Sequence, residues 1–325
     1  VVGRRRSEYF VPIAQPKKKG KQLALDLWTQ DRIQENEFIN RVRGRVTTWR
    51  RGGHLGITST TRRLLDYWTD PSRDLRLFFC QIEALETAIY ITEVAGKHGD
   101  AWIENRLRED NALANPGLFR LALKMATGTG KTVVMAMLIA WHTLNKLANR
   151  QDSRFSDAFL IVAPGITIRD RLRVLLPNDP QTYYRQRDIV PADLMPQLHQ
   201  AKIVITNFHT FLRREKVQAG KLTKEILAQG EDSAFTETPA EMVRRVCREL
   251  GNKQNLVVIN DEAHHCYLPL AKGKDTELDN SETENERAAV RFSGIRAVAQ
   301  RFKLRAVYDL SATPYYPVSY THLTL

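Results

Sequence analysis

The stretch Leu118–Met125 is largely apolar, and it runs through Ala126-Thr127-Gly128-Thr129-Gly130-Lys131-Thr132 into a segment with Val134, Met137, Leu138, Trp141 and Leu144 at helical spacing. A strand, a glycine-bearing turn and a helix in that order predict a β-loop-α unit, and with it an α/β fold built on a mostly parallel sheet. Glycines at 128 and 130 let the backbone curl so that successive N–H groups point inward, and the helix start adds the positive end of its dipole. Such a cradle suits phosphate oxygens. Lys131 is placed to reach the outer phosphates of a nucleotide and the Thr132 hydroxyl to ligate magnesium, so the expected ligand is ATP with magnesium, held along Thr127, Gly128, Thr129, Gly130, Lys131 and Thr132. The usual pattern has a glycine six residues before the lysine, where this chain has Met125. The competing reading is a glycine-rich turn into a buried helix.

Further along, Phe159–Ala163, Lys202–Thr206, Asn255–Asn260 and Leu304–Leu310 are apolar runs that alternate with helical stretches, as strands covered on both faces should. The run Asn255–Asn260 leads into Asp261-Glu262-Ala263-His264. Asp261, at the carboxyl end of a strand, is expected to hold magnesium through water, and Glu262 to orient and deprotonate an attacking water. Two solvated carboxylates after a strand would be the alternative. His264, His265 and Cys266 are adjacent, and three adjacent side chains do not converge on one metal ion. With only three cysteines, Cys80, Cys247 and Cys266, and no Cys-x-x-Cys pair, neither a disulfide framework nor a zinc site is expected.

Taken together, Ala-Thr-Gly-Thr-Gly-Lys-Thr at 126–132, Asp-Glu-Ala-His at 261–264 and Ser-Ala-Thr at 311–313 resemble motifs I, II and III of superfamily 2 helicases. Within that group the chain is similar to the type III restriction enzyme Res subunit and related DEAD/DEAH-like helicases, over about Arg76 to Tyr316. The resemblance implies a RecA-like phosphate-loop lobe in which Lys131, Asp261 and Glu262 are catalytic and His264, Ser311 and Thr313 sense the terminal phosphate. Phe159–Gly165 is similar to motif Ia and Ile203–His209 to a later strand-loop element. Both imply contacts to a nucleic-acid backbone through Pro164, Gly165, Thr206 and Asn207. Gln81, after Phe78 and Phe79, sits where related enzymes use a glutamine to read the adenine edge; an ordinary exposed helix residue is the alternative.

The net charge of +12 is uneven, since residues 1–76 hold 17 Lys or Arg against 8 Asp or Glu. Such a balance favours a polyanionic partner, although clustered charge also keeps surfaces soluble. The expected organisation is a basic flexible arm over 1–22, a small helical accessory region over 23–75, and the RecA-like lobe over 76–317. That lobe is expected to carry a helical insertion at about 213–251 and a mobile loop at about 272–286. The longest apolar run, Val133–Trp141, is about half of what crosses a bilayer, so a cytoplasmic protein without a membrane partner is expected. Residues 318–325 translate GTC TCT TAT ACA CAT CTG ACG CTG, a transposon-end adapter in frame, and are expected to be non-native. Resequencing the locus decides that point.

The implied activity is a nucleic-acid-dependent ATPase, a DNA helicase or translocase motor. DNA is favoured over RNA. The alternatives are a translocating Res subunit working with further subunits of a restriction system, and a non-motor ATP-dependent switch. Motors of this kind use a second RecA-like lobe, so the lobe alone is expected to show little strand-stimulated hydrolysis.

Overall fold

The computed structural model describes residues 6–10, 33–214, 236–266, 279–312 and 322–324. The chain divides into a small unit within residues 1–55 and a large one within 56–323.

In the small unit, Glu8–Phe10 (β1) pairs antiparallel with Ile33–Glu35 (β2), Tyr9 standing opposite Gln34. The Glu37–Arg51 helix (α1) follows, capped by Asn36, whose Oδ1 accepts from the Ile39 N–H at 3.2 Å. Glu37 in its first turn and Arg50 and Arg51 in its last complement the helix dipole. Ile39, Val42, Val46 and Trp49 are all buried, an apolar stripe at helical spacing. Two expectations change here. Glu8–Phe10 lies within the supposed flexible arm and Ile33–Glu35 within the supposed helical region, yet both are strands. Three-residue strands are too short for period-two alternation to register. Leu23, Leu25, Leu27 and Trp28, the apolar residues at the start of the expected helical accessory region, lie outside the described residues.

The large unit opens with Ser59–Thr69 (α2), Phe79–Ile89 (α3), which continues as a π-helical turn Tyr90–Val94, and Ala101–Ala114 (α4). Then come Arg120–Lys124 (β3), Lys131–Ala148 (α5), Ala158–Ala163 (β4), Ile166–Arg171 (α6), Tyr183–Gln186 (α7), Met195–Leu198 (α8) and Lys202–Asn207 (β5). Pro239–Val246 (α9), Leu256–Asp261 (β6), Asp279–Arg301 (α10), Leu304–Ser311 (β7) and His322–Thr324 (β8) complete it. The sheet order is β5-β4-β6-β7-β3, with β8 beside β3, and the first five strands pair in parallel. This is the RecA-like α/β arrangement.

Alternation along β4 divides the core. Leu160 and Val162 join Val258 of β6 and Phe292, Ile295 and Val298 of α10 in one cluster. Phe159 faces the other way, where His142 of α5 meets it edge-on. Helix α5 is anchored by Trp141, whose indole N–H is shared between Glu93 Oε1 at 2.9 Å and Thr61 Oγ1 at 3.0 Å. A full turn of α5 is therefore tied to α2 and to the π-helical turn. The expected loop at 272–286 is a helix from Asp279 onward, the rest lying outside the described residues. A run of carboxylates suits the positive end of a helix as well as it suits a loop, so polarity did not separate the two. Within the 213–251 segment, Pro239–Val246 is helical.

Candidate nucleotide site

The phosphate loop leaves β3 and enters α5 through two left-handed glycines, Gly128 and Gly130, both at φ +79°. The Thr129 hydroxyl donates to the Ala126 carbonyl at 2.7 Å and closes the loop on itself. Met125 replaces the usual leading glycine without strain, because it lies outside the positive-φ residues and is buried at the end of β3. Its N–H donates to the Ser311 carbonyl at 2.9 Å, which fastens the loop to β7.

Gln81 is only 4% exposed, which sets aside the ordinary exposed helix residue. Its amide oxygen accepts from the Phe78 N–H at 2.8 Å, and its Nε2 donates to the Thr129 carbonyl at 2.9 Å. A Cβ on Gly130 would lie 2.3 Å from that Nε2. Glycine at 130 thus serves both the left-handed turn and the approach of Gln81.

Asp261 is the last residue of β6 and Glu262 stands just beyond it, in the left-handed region at φ 48°, ψ 55°. That conformation turns the Glu262 carboxylate toward the phosphate loop, with Oε1 3.2 Å from Lys131 Nζ. Asp261 is 7% exposed, and burial followed by the neighbouring Glu262 charge pushes its pKa up to about 6, against the lowering pull of Lys131 and Arg291. Gly128, Lys131, Thr132, Asp261 and Glu262 share a cleft of ≈ 930 Å³, whose other wall includes Arg171. Two carboxylates against one lysine, with a hydroxyl in the same cleft, are a donor set that would suit a hydrated divalent cation.

His264 follows in the short turn Ala263–His265, its Nδ1 2.7 Å from Ser311 Oγ and 3.4 Å from Glu262 Oε2. The structure therefore brings Lys131, Glu262, His264 and Ser311 into one chain of contacts. Thr313 lies outside the described residues. Pro164 and Gly165 sit partly exposed where β4 passes into α6. Thr206 and Asn207 are 5% and 3% exposed, so their side chains face the protein rather than an open surface. Thr206 Oγ1 bonds Thr210 Oγ1, and Thr210 donates to the Asn207 carbonyl at 2.6 Å.

Two buried arginines that the sequence did not single out bracket the Asp261–Cys266 segment. Arg120 on β3 pairs with Asp309 at 2.6 Å and donates to the Cys266 carbonyl at 2.9 Å. Arg291 on α10 donates to the carbonyls of Asp261 and Glu262 at 2.9 and 3.2 Å. Arginine inside an otherwise apolar strand, as at 120, was the one available signal. All three cysteines are free thiols. Among the described residues no cluster of His, Cys, Asp or Glu is disposed to hold a metal by itself, and no helix is long and apolar enough to cross a membrane.

A parallel sheet with a phosphate loop on one strand and an acidic pair on the next but one defines a helicase-like ATPase lobe, of the N-terminal kind in superfamily 2. Residues 74–316, well over half of the chain, match the model of the family described as type III restriction enzyme, res subunit, and the chain belongs to that family. Its members generally use ATP with magnesium. A search of curated proteins found no match.

Proposed function

We propose that this lobe binds ATP with magnesium and hydrolyses it in response to a nucleic-acid strand, DNA in preference to RNA, with hydrolysis driving movement along the strand. The observation that carries the reading is the 3.2 Å contact between Lys131 and Glu262, which joins the phosphate loop to a carboxylate held in a left-handed turn. Loop N–H groups and Lys131 bind the phosphates, while Thr132 and Asp261 would hold the metal. Bound there, magnesium neutralises charge that develops on the transferring phosphoryl group.

Glu262 takes the proton of the attacking water, a role worth about 10²–10⁴ in rate. His264 joins Glu262 to Ser311 at the end of β7, a route by which loss of phosphate would reach the sheet. Gln81 Nε2 carries two hydrogens, one directed to Thr129, and the other is assigned to the adenine edge. Strand contacts at Pro164 and Gly165 are to backbone and carry little sequence preference. At Thr206 and Asn207, whose side chains are buried, they fall to main-chain N–H groups. The family match favours further subunits of a restriction system as partners.

Strand-stimulated ATP turnover by the intact gene product tests this. Lys131→Ala and Glu262→Gln should each lower turnover about 100-fold or more, with Glu262→Gln still binding ATP. Stimulation should fall steeply with added salt. Turnover indifferent to any strand would leave a nucleotide switch instead, and parental turnover by Glu262→Gln would require another base.

A further inference from the structure

Arg291 is 1% exposed, and its guanidinium reaches three main-chain carbonyls. Nη1 donates to Glu262 O at 3.2 Å, and Nη2 donates to Asp261 O at 2.9 Å and to Val162 O at 3.2 Å. The first two are successive carbonyls of the catalytic turn. The third belongs to β4, two residues before Pro164.

Burying a guanidinium beside the apolar cluster of Phe292, Ile295 and Val298 is unfavourable, and a hydrophobic side chain of similar volume would fill the space without that penalty. What arginine adds is a fork of donors with fixed geometry. The turn it grips needs such a restraint. Glu262 is one of four non-glycine residues at positive φ among the described residues, and such a conformation persists only where its surroundings over-determine it. Relaxation to an ordinary backbone would swing the carboxylate away from Lys131.

We infer that Arg291 is a positioning residue for ATP hydrolysis: its fork fixes the left-handed turn that aims Glu262 into the cleft, and the Val162 contact ties that turn to the strand end leading to Pro164 and Gly165. This rests on the hydrolytic reading above. Through Arg291, the catalytic turn and the candidate strand-binding end of β4 share one rigid donor.

The test compares Arg291→Lys, Arg291→Met, Glu262→Gln and the Glu262→Gln/Arg291→Met pair in the intact gene product. It reads affinity for a fluorescent ATP analogue with magnesium, strand-stimulated turnover, and amide hydrogen exchange across residues 261–266. Arg291→Met should lower turnover about 100-fold while affinity stays within about threefold. Arg291→Lys should recover part of the turnover, since one ammonium replaces a planar fork. The paired variant should be no slower than Glu262→Gln, because both changes remove the same function. Losses that multiply, or parental turnover in Arg291→Met, would overturn the proposal.

If Arg291→Met does not fold, Arg291→Lys decides: reduced turnover at unchanged affinity supports the role and parental turnover overturns it. Hydrogen exchange separates the two readings. Should the parent prove not to hydrolyse ATP, faster exchange at 261–266 in the Arg291 variants would still support the positioning role, and unchanged exchange would overturn it.

Discussion

Gln81 clamps the first turn of α3 onto the phosphate loop with a single amide, taking the Phe78 N–H at one end and giving to the Thr129 carbonyl at the other. Gln81→Ala removes both hydrogen bonds, each worth about 0.5–1.5 kcal/mol at these partly exposed groups. The expected result is a lower melting temperature and an ATP affinity weakened about tenfold. Calorimetric titration with ATP and with GTP separates two roles. A loop-organising glutamine weakens both nucleotides alike, whereas an adenine-reading one also erases the preference for ATP. The candidate site residues were legible because each sits in a contiguous motif: Lys131 in the glycine loop, Asp261, Glu262 and His264 after an apolar run, Ser311 after another. Arg291 was not legible, because its partners are main-chain carbonyls, which leave no side-chain pattern. Nor was the inward orientation of Thr206 and Asn207, since a strand end exposes or buries its last residues according to the turn that follows.

Helix α10 joins two regions of functional interest. Near its middle Arg291 meets the turn at Asp261 and Glu262, and one turn later Gly294 passes against the segment after β5, so closely that a Cβ there would lie 2.4 Å from Phe211 Cγ. Phe211 is itself buried, so it has little room to yield. Gly294→Ala sets a helix-propensity gain of about 1 kcal/mol against overpacking of about 1–3 kcal/mol, which makes it neutral to destabilising by up to about 2 kcal/mol. Thermal unfolding should show the fall, and Phe211→Leu in the same chain should recover part of it. A Gly294→Ala chain clearly more stable than the parent would mean that α10 does not approach this closely in solution. The start of α10 was read as a loop because acidic residues suit either form. Its apolar positions, Phe292, Ile295 and Val298, hold helical spacing, and that part of the helix could have been read.

At the scale of the whole molecule, all five parallel strands and α5 lie where apolar runs and helical periodicity place them, because a sheet covered on both faces leaves little freedom in composition. The strand order and the polar groups sealed between layers were not legible. His142 is such a group: it lies in α5 against β7, with Nε2 3.1 Å from the Tyr308 hydroxyl and Nδ1 buried without a hydrogen-bond partner. Burial, and then the charge of Arg305, lower its pKa to about 3. In the unfolded chain a histidine binds its proton near pH 6.5. Between about pH 6.5 and pH 3 the unfolded state therefore holds a proton that the native state refuses. Stability is fully present above that window and falls as the pH drops through it, by up to about 1.4 kcal/mol per pH unit from this residue. Denaturant unfolding at pH 7, 6 and 5 reads the slope. His142→Gln removes the titrating group while retaining a polar side chain of similar length, so its stability should decline less steeply than the parent's across the same interval, even if it starts lower. Other titrating groups contribute to both chains and cancel in the difference. Parallel slopes would show that His142 is protonated in the native state or reached by water, and that the seal between α5 and β7 is open.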